Sequence, residues 1–265
     1  MTETSPLALV TGASSGIGFE LARQFLDRGY DVVIAAEDAG IKAAAAALHH
    51  PQHEVRPVQV DLRTADGVEQ LYRAATENGR LPDAVAFNAG VGRGGAFVDS
   101  DLDDELAIIE LNVRSTVHLA KLVLGDMAER NEGKLLFTSS VAATTPGPGQ
   151  AVYHASKSFV QSFAKALREE LRDTGITVTA LLPGPTATDF FRRAGMLSTR
   201  LGRLPKDDPA EVARQGVESL LNGRQQVFAA SLVTKAADLA GRVLPDAVKA
   251  RANRIMSAPA HAGSH

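Results

Sequence analysis

The sequence predicts an α/β fold in which a mainly parallel, doubly wound sheet is covered by helices on both faces. Seven short apolar runs, most of which contain β-branched residues, alternate with longer stretches of helical periodicity, as in repeated βαβ units. Several runs, such as residues 32–36, are apolar without interruption, which is typical of strands buried on both faces. The predicted strands are Leu7 to Val10, Val32 to Ala36, Val55 to Val60, Ala84 to Asn88, Lys134 to Ser139, Ile176 to Leu182 and Gln225 to Ala229.

Two of the intervening stretches predict helices that bear on function. Apolar residues recur at helical spacing from Ser15 to Arg28, and Gly29 ends that run as a C-terminal cap would. The stretch Ala151 to Asp173 is longer and stops before Gly175. It places residues 153 and 157 one turn apart, so their side chains share one face of the helix.

Composition limits the class of protein. The 265 residues are 45% hydrophobic and 22% charged, as in ordinary globular proteins, and no linker interrupts the middle of the chain. One domain over residues 1–265 is therefore expected. A net charge of -3 and scattered basic residues argue against nucleic acid as a partner. The absence of cysteine excludes disulfides, thiolate chemistry and a cysteine zinc site.

Targeting and metal-binding patterns are also missing from the sequence. The N-terminus lacks the basic start and apolar stretch of a signal peptide, and no apolar run approaches the roughly 20 residues that span a bilayer. We therefore expect a cytoplasmic protein without a transmembrane segment. His49, His50 and His53 have no acidic or cysteine companions at ligand spacing, so a solvated loop is favoured there and no metal site is expected.

A glycine-rich turn connects the first strand to the first helix, which is the context of a dinucleotide-binding turn. Glycine lets the backbone turn tightly and approach a pyrophosphate, whose charge is attracted by free N–H groups and by the helix dipole. The spacing, Gly-x-x-x-Gly-x-Gly, differs from the Gly-x-Gly-x-x-Gly of many other dinucleotide folds. The predicted contacts of this turn are Gly12, Ser14, Ser15, Gly16, Ile17 and Gly18.

Further motifs follow the turn in a fixed order: Asn88-Ala89-Gly90, Ser140, Tyr153-His154-Ala155-Ser156-Lys157 and Pro183-Gly184. With these motifs the chain resembles a short-chain dehydrogenase/reductase over roughly residues 6–230. The resemblance implies a Rossmann fold of seven parallel strands, with a nicotinamide dinucleotide across the C-terminal ends of the strands. It also implies hydride transfer between that cofactor and a carbonyl or alcohol.

The catalytic residues can be argued from the chemistry of hydride transfer. A hydride added to a carbonyl leaves an alkoxide that must receive a proton, and the reverse reaction removes one. A phenol can do both, but its ordinary pKa of about 10 calls for a nearby positive charge. Lys157 is placed to supply that charge to Tyr153, and the Ser140 hydroxyl would hold the substrate oxygen near the phenol.

The neighbours of these residues are interpreted through the same resemblance. Asn112 resembles the helix-bending asparagine of the family, whose backbone carbonyl supports a water that links the lysine to solvent. Ser139 is interpreted as a packed strand-end residue. His154, rotated about 100° around the helix from the tyrosine, is expected to point elsewhere. The predicted catalytic residues are Asn112, Ser140, Tyr153 and Lys157.

The resemblance extends the cofactor site to the ends of other strands. Asp61 would hydrogen-bond the adenine ring, and the small residues 88–90 would leave room for the adenosine. Backbone groups near Thr186 and the Thr188 hydroxyl would bind the nicotinamide carboxamide. The predicted contacts outside the glycine-rich turn are Glu37, Asp61, Leu62, Asn88, Ala89, Gly90, Tyr153, Lys157, Pro183, Gly184, Thr186 and Thr188.

The choice between NAD and NADP depends on the end of the second strand. NADP-preferring relatives often carry Arg where Glu37 stands, and NAD-preferring relatives often carry Asp where Ala36 stands, so this chain follows neither pattern. Carboxylates at Glu37 and Asp38 would repel a 2′-phosphate, which favours NAD. In the alternative, these two carboxylates are solvated and Arg63 approaches the phosphate of NADP.

The leading hypothesis is an NAD(P)-dependent oxidoreductase that acts on a secondary alcohol or ketone. The alternative is a nicotinamide-binding sensor or interaction protein without catalysis. Apolar and small residues near Val91 to Phe97, Val141 to Gln150 and Phe190 to Leu204 predict a moderately hydrophobic substrate. Residues 190–206 lack a clean period and form either a mobile segment over the substrate or a fixed loop.

In the C-terminal extension, about residues 232–265, the stretch from Leu232 onward, with the apolar residues Val233, Ala237, Leu239 and Val243, can form another helix. That helix would pack on its own domain, cover the active site, meet a second subunit or touch a membrane surface. Family members are often dimers or tetramers through their long catalytic helices, so a homo-oligomer is expected.

Overall fold

The structure, a computed structural model, describes residues 5–229 and 246–258 and forms around a seven-stranded sheet in which all paired strands are parallel. The strand order is β3-β2-β1-β4-β5-β6-β7. Each strand begins and ends within one residue of its predicted bounds. The strands are β1 Leu7–Thr11, β2 Asp31–Ala36, β3 Val55–Gln59, β4 Ala84–Phe87, β5 Gly133–Thr138, β6 Ile176–Pro183 and β7 Gln226–Ala229.

Helices follow most strands and cover both faces of the sheet. They are α1 Gly16–Leu26, α2 Gly40–Ala47, α3 Ala65–Ala75, α4 Leu102–Ile109, α5 Ser115–Arg130, α6 Ala151–Glu170, α7 Phe190–Arg193, α8 Arg200–Arg203, α9 Pro209–Leu221 and α10 Asp246–Ser257. Among the described helices, none has the length and apolar character that crossing a bilayer requires.

The apolar residues of the strands are buried in two cores, one on each face. One core lies under α3, α5 and α6, where Leu71, Met127 and Val160 pack against the sheet. The other lies under α1, α2 and α9 and includes Phe25 and Val217. The uninterrupted apolar strands thus have a hydrophobic partner on both faces, as the sequence pattern predicted.

The chain order reverses between β1 and β4, because β1 leads outward to β2 and β3 whereas β4 leads the other way to β5, β6 and β7. At such a switch point the loops leaving the two strands diverge and open a crevice at the C-terminal edge of the sheet. The glycine-rich turn after β1 and the Asn88-Ala89-Gly90 segment after β4 therefore face each other across this crevice.

The predicted end of the catalytic helix was wrong by three residues. We expected the helix to reach Asp173, but α6 ends at Glu170. Residues after Leu171 form a turn in which the Thr174 backbone N–H and Oγ1 both bond to the Leu171 carbonyl, at 3.0 and 2.6 Å. A threonine side chain that competes for backbone carbonyls ends a helix before the glycine does.

The segment at residues 190–206, for which the sequence allowed either a mobile segment or a fixed loop, is partly helical. It contains the short helices α7 and α8 and a small core of its own, built from Phe191, Ala194 and Met196. The helix predicted from Leu232 onward falls on residues 230–245, which lie outside the described residues, as do residues 259–265. The part of the C-terminal extension between these two ranges contains α10.

Candidate active site

A cavity of about 560 Å³ occupies the crevice at the C-terminal edge of the sheet. All the predicted catalytic and cofactor-binding residues line it except Asn112. Residues from distant parts of the sequence meet here because parallel strands end at the same edge. The other lining residues include Asp38, Thr138, His154, Phe190 and four residues of α10.

The glycine-rich turn is shaped for a ligand that approaches its backbone closely. Gly12 and Gly16 have φ angles of 67° and 60°, a region that favours glycine. A Cβ at Gly16 would lie 2.8 Å from the Thr188 Cγ2, and one at Gly12 would lie 2.7 Å from the Ala89 Cα. Ser15 precedes α1 in an extended conformation and does not cap it with its side chain, so the first N–H groups of α1 are open to an anion.

Asn88 holds the two sides of the crevice together. Its Nδ2 donates to the Thr11 and Gly12 carbonyls at 3.1 and 3.2 Å, while Thr11 Oγ1 accepts from the Asn88 and Ala89 N–H groups, both at 3.0 Å. The resemblance assigned residues 88–90 to making room for the adenosine. The structure adds that Asn88 braces the turn on which a pyrophosphate would rest.

Gly18 gives a direct test of this turn. A Cβ at Gly18 would lie 2.1 Å from the Gly12 carbonyl oxygen, so Gly18→Ala forces the turn backbone to move. We expect the Kd for NADH to rise at least about tenfold and the free energy of unfolding to fall by about 1–3 kcal/mol, as for overpacked sites. Gly125→Ala in α5 is the control, since nothing lies within 4 Å of its added Cβ, and alanine should stabilise that helix by up to about 1 kcal/mol. NADH titration and thermal unfolding would measure both, and equal behaviour of the two variants would contradict this role of Gly18.

Tyr153, Ser140 and Lys157 converge at the end of the cavity next to β5. Tyr153 is only 9% exposed, and Ser140 lines the same cavity and acts to lower the pKa of the phenol. The Lys157 Nζ lies 6.0 Å from the centre of the Tyr153 ring and donates to the Thr138 carbonyl at 2.9 Å. Gly90 leaves room for this arrangement, because a Cβ there would lie 3.1 Å from the Lys157 Nζ.

Asn112 braces the site from behind and does not line the cavity. It lies in a π-helical turn, residues 110–114, between α4 and α5, in agreement with the predicted helix bend. Its side chain bonds to the Val91 backbone N–H and carbonyl and to Ser156 Oγ, all at 2.9 Å. Its own carbonyl accepts from Thr116 Oγ1 at 2.9 Å, so a water at that carbonyl would share it with a hydroxyl.

Ser139 packs at the end of β5, as the sequence predicted. Its side chain is buried, and its Oγ donates to the Lys157 carbonyl at 2.8 Å. The neighbouring Ser140 Oγ accepts from the Ala142 N–H at 3.1 Å. The two serines thus differ in role: Ser139 holds α6 against the sheet, whereas Ser140 faces the cavity.

Burial dominates the titration of the catalytic pair. It raises the pKa of the Tyr153 phenol to about 12, although the hydrogen bond with Ser140 acts in the opposite direction. It also lowers the pKa of Lys157 to about 8. We expected Lys157 to lower the pKa of the phenol, but the net shift is upward and burial is its largest cause. Tyr153 is therefore a protonated phenol at neutral pH.

His154 does not point away from the site, and that prediction was wrong. Its ring lines the cavity and its Nδ1 lies 2.8 Å from the Thr145 carbonyl. Because a carbonyl can only accept, this nitrogen carries the proton. A rotation of 100° from Tyr153 leaves His154 at the rim of the same cavity, where it holds the loop that follows β5.

Charged side chains surround the opposite end of the cavity, where the resemblance places the adenosine. Asp61 lines the cavity as predicted, but its carboxylate is engaged by Arg63 through bonds of 2.9–3.1 Å. Arg63 also pairs with Glu37 at 2.8 Å. In the alternative with NADP, Asp38 was expected to be solvated. It accepts hydrogen bonds from Ser14 Oγ at 2.8 Å and from the Gly40 N–H at 3.0 Å.

The loop after β6 closes the end of the cavity that holds Tyr153. Thr186 is buried and its Oγ1 donates to the Gly184 carbonyl at 2.9 Å, which fixes the turn that follows Pro183. Thr188 Oγ1 accepts from the Phe190 N–H at 3.3 Å, and the Phe190 ring packs against Tyr153 with 5.1 Å between ring centres. Across the described residues, no group of three or more potential ligand side chains is arranged to hold a metal ion.

The geometry fits a dinucleotide across the cavity. The Gly-rich turn offers backbone and helix N–H groups for the pyrophosphate, and carboxylates lie at one end. The other end holds Tyr153 and Lys157. Residues at the C-terminal ends of six strands line the cavity: β1, β2, β3, β4, β5 and β6.

Comparison with known proteins agrees with this geometry. A family model described as short chain dehydrogenase matches residues 6–196. The 3-oxoacyl-[acyl-carrier-protein] reductase of Synechocystis sp. is 35% identical over 189 residues, which are 71% of this chain and 76% of the relative.

Two solved structures share the fold along most of their length. The short-chain dehydrogenase from Sphingobium yanoikuyae in complex with NADPH has a TM-score of 0.79 and 27% identity, covering 98% of each chain. A short chain dehydrogenase/reductase from Burkholderia phymatum in complex with NAD has a TM-score of 0.80 and 24% identity, covering 89% of this chain and 92% of that one. The motif order, the sheet and the family match agree, and the chain belongs to the short-chain dehydrogenase/reductase family of NAD(P)-dependent oxidoreductases.

Proposed function

We propose that this protein moves a hydride between a nicotinamide dinucleotide and a ketone or secondary alcohol, with Tyr153 as the general acid and base. The observation that carries the proposal is the buried phenol of Tyr153 at the wall of the cavity, with the Lys157 Nζ 6.0 Å from the centre of its ring and Ser140 lining the same cavity. Asn112 is a positioning residue, because its side chain holds the backbone of Val91 in the loop after β4.

The proposed chemistry divides the work between cofactor and protein. When bound, the nicotinamide supplies or accepts the hydride, so the residues of the chain have to manage the proton. In ketone reduction, Tyr153 Oη gives its proton to the carbonyl oxygen while Ser140 Oγ hydrogen-bonds that oxygen and holds it in place. The Lys157 ammonium stabilises the phenolate that remains. A phenol that stays protonated at neutral pH suits this reductive direction.

The experiment that tests the proposal is a turnover assay. Purified protein would be given NADH or NADPH with a panel of ketones and aldehydes, and loss of the reduced cofactor would be followed. The proposal expects turnover of at least one ketone and its loss in Tyr153→Phe. Cofactor binding without any turnover would instead favour the nicotinamide-binding sensor.

The substrate end of the cavity supports a moderately hydrophobic ketone. Its walls include apolar side chains on three separate segments: the loop after β4, the loop after β5 and the segment with α7 and α8. These side chains are Val91, Val141, Phe190, Phe191 and Leu201. An apolar wall around a few polar groups is typical of sites for small organic substrates.

We propose NAD as the preferred cofactor because carboxylates already occupy the groups that would bind a 2′-phosphate. Arg63 is engaged by Glu37 and Asp61, and Ser14 donates to Asp38. A 2′-phosphate would have to displace these bonds and would meet negative charge, whereas a ribose diol can donate to a carboxylate.

The proposal predicts a cofactor ratio and its reversal. The kcat/KM for NADH should exceed that for NADPH by about tenfold or more, a difference of roughly 1.4 kcal/mol. Glu37→Gln should raise kcat/KM for NADPH by about tenfold, because it removes one charge and frees Arg63. Asp66→Asn, exposed in the first turn of α3 and outside the cavity, is the matched control. A preference for NADPH in the unmodified protein would contradict this assignment.

A homo-oligomer is proposed from exposed apolar side chains along α4, α5 and α6. The helix α4 carries three exposed apolar residues at helical spacing: Leu102, Leu106 and Ile109. Val117 in α5 and Phe159 in α6 are exposed as well. Light scattering should therefore give a mass that is a multiple of the 27.9 kDa chain, and a monomer at micromolar concentration would contradict the proposal.

A further inference from the structure

The helix α10 lies beyond the part of the chain that the family model matches, which ends at residue 196. Yet four of its residues line the cavity: Lys249, Asn253, Met256 and Ser257. Their spacing of four, three and one places them on one face of the helix. Val248, Arg251, Arg254 and Ile255 lie between them on the exposed side. One stripe of α10 is therefore a wall of the cavity.

Asn253 attaches this wall to the loop after β5. Its Nδ2 donates to Thr145 Oγ1 at 2.9 Å and to the Pro146 carbonyl at 2.7 Å. Gly149 has a φ of 82°, and a Cβ there would lie 3.2 Å from the Ser257 Cβ. The close approach of α10 to this loop thus depends on a backbone conformation and a lack of side chain that glycine provides.

The far end of α10 is attached to the loop after β6. The Ala258 carbonyl, just past the helix, accepts from the Arg200 N–H at 3.2 Å, at the start of α8. The helix thus spans from the loop after β5 to the segment with α7 and α8. These are the two segments that flank the Tyr153 ring, since His154 is bonded to Thr145 and Phe190 packs on Tyr153.

The position of α10 assigns it to the substrate and not to the cofactor. The adenosine end of the cavity is formed by residues 36–38 and 60–62. The contacts of Asn253, Ser257 and Ala258 lie instead on the loop after β5 and at the start of α8. The α10 contacts fall on the loops next to the catalytic phenol. Met256 is the large apolar side chain on the cavity face of α10, and an unbranched thioether adapts to apolar groups of varied shape.

We propose that α10 selects the substrate: Met256 contacts a large apolar substituent of the ketone, and Asn253 is a positioning residue that fixes the helix. The substrate class is a ketone with one bulky apolar substituent, aromatic or a long alkyl chain. This inference rests on the proposed ketone chemistry, but it assigns a separate function to a helix outside the matched family region.

Binding can be tested without turnover by methyl-labelled methionine NMR. The sequence has four methionines, and Met127 is buried in the core beside Gly133, so it is an internal control. Protein saturated with NAD⁺ cannot reduce a ketone, so added ketone forms a non-reacting complex. We expect 2-acetylnaphthalene to shift the Met256 methyl signal, acetone to shift it little, and the Met127 signal to stay in place with both. Met256→Leu assigns the signal.

Kinetics of single variants then test selection. Met256→Ala should lower kcat/KM for 2-acetylnaphthalene about tenfold relative to acetone, a size of effect expected for lost apolar contact. Asn253→Ala should raise KM for 2-acetylnaphthalene about tenfold while kcat and the Kd for NADH stay within twofold. Arg254→Ala, on the exposed face of the same helix, should change none of these values. Circular dichroism and thermal unfolding confirm that each variant folds, and Met256→Leu should restore the naphthyl preference.

The outcomes separate this inference from the proposed function. Absence of turnover with every ketone would count against the oxidoreductase proposal itself. If the protein reduces 2-acetylnaphthalene, but the Met256 signal does not respond and the substrate ratio is unchanged in Met256→Ala, α10 does not select the substrate.

Discussion

Replacing Tyr153 with phenylalanine is expected to lower kcat for ketone reduction by about a thousandfold or more. The change removes the group that gives its proton to the substrate oxygen, and positioned acid catalysis contributes about 10²–10⁴-fold. The ring itself stays, so its packing against Phe190 and the shape of the cavity are kept. The Kd for NADH and the thermal unfolding temperature should therefore change little. Steady-state kinetics, NADH titration and thermal unfolding measure the three quantities.

Tyr72→Phe is the matched control for this experiment. It removes the same hydroxyl, which donates to Asp126 Oδ2 at 2.7 Å between α3 and α5, outside the cavity. Loss of that bond should lower the free energy of unfolding by about 1 kcal/mol and leave kcat unchanged. Retention of kcat in Tyr153→Phe would remove the phenol from the mechanism.

Replacing Lys157 with methionine should abolish activity and stabilise the fold at the same time. The loss of the ammonium beside the phenol should lower kcat at least about a hundredfold, since the phenolate loses its charge partner. The gain in stability follows from burial, because Lys157 is 5% exposed and its pKa falls from 10.5 to about 8. Methionine is an apolar side chain of similar length, so in the variant no charge has to be desolvated when the chain folds.

The pH dependence gives the sign of this stability effect. Below about pH 8 the lysine is charged in both the folded and the unfolded chain, and burying that charge costs about 3 kcal/mol. Between about pH 8 and 10.5 the folded chain loses the proton first and the cost falls away. Loss of the bond to the Thr138 carbonyl opposes the gain by about 1 kcal/mol. We expect a net gain of about 2 kcal/mol near neutral pH that shrinks as the pH rises toward 10.5.

Thermal unfolding at neutral and alkaline pH measures this gain. Lys165→Met, on the exposed side of the same helix, is the control and should have no such pH-dependent gain. A Lys157→Met variant that is less stable than the unmodified protein near neutral pH would contradict this account. It would mean that the cost of burying the lysine charge does not exceed the stabilisation from its bond to the Thr138 carbonyl.

Much of the fold could be predicted because local patterns and long-range packing agree. Several strands are continuous apolar runs with a core on both faces, so their bounds appear in the sequence. The glycine-rich turn was predictable because its backbone needs φ angles that favour glycine. The catalytic residues were found from two patterns: the spacing of Tyr153 and Lys157 on a helix, and the position of Ser140 at a strand end. Parallel strands bring these positions to one edge of the sheet.

The missed features depend on contacts that leave no pattern in the sequence. Arg63 reaches back to both Glu37 and Asp61, and Lys157 bonds to a backbone carbonyl that any residue at position 138 would offer. The raised pKa of Tyr153 follows from burial, which depends on the whole fold. The helix α10 was not singled out from the sequence, because a mostly polar helix gives no sign of which loops it meets.

The most direct test of the account is a single turnover with NADH that carries deuterium at both hydrogen positions of the nicotinamide C4. The account predicts that a ketone reduced by the unmodified protein yields an alcohol with one deuterium on the carbon that bears the hydroxyl. The hydroxyl proton comes from solvent through Tyr153, and Tyr153→Phe should give no labelled alcohol over the same time although it binds NADH equally well. An alcohol without deuterium, or equal labelled product from Tyr153→Phe, would contradict the assignment of this cavity as a hydride-transfer site with a tyrosine acid.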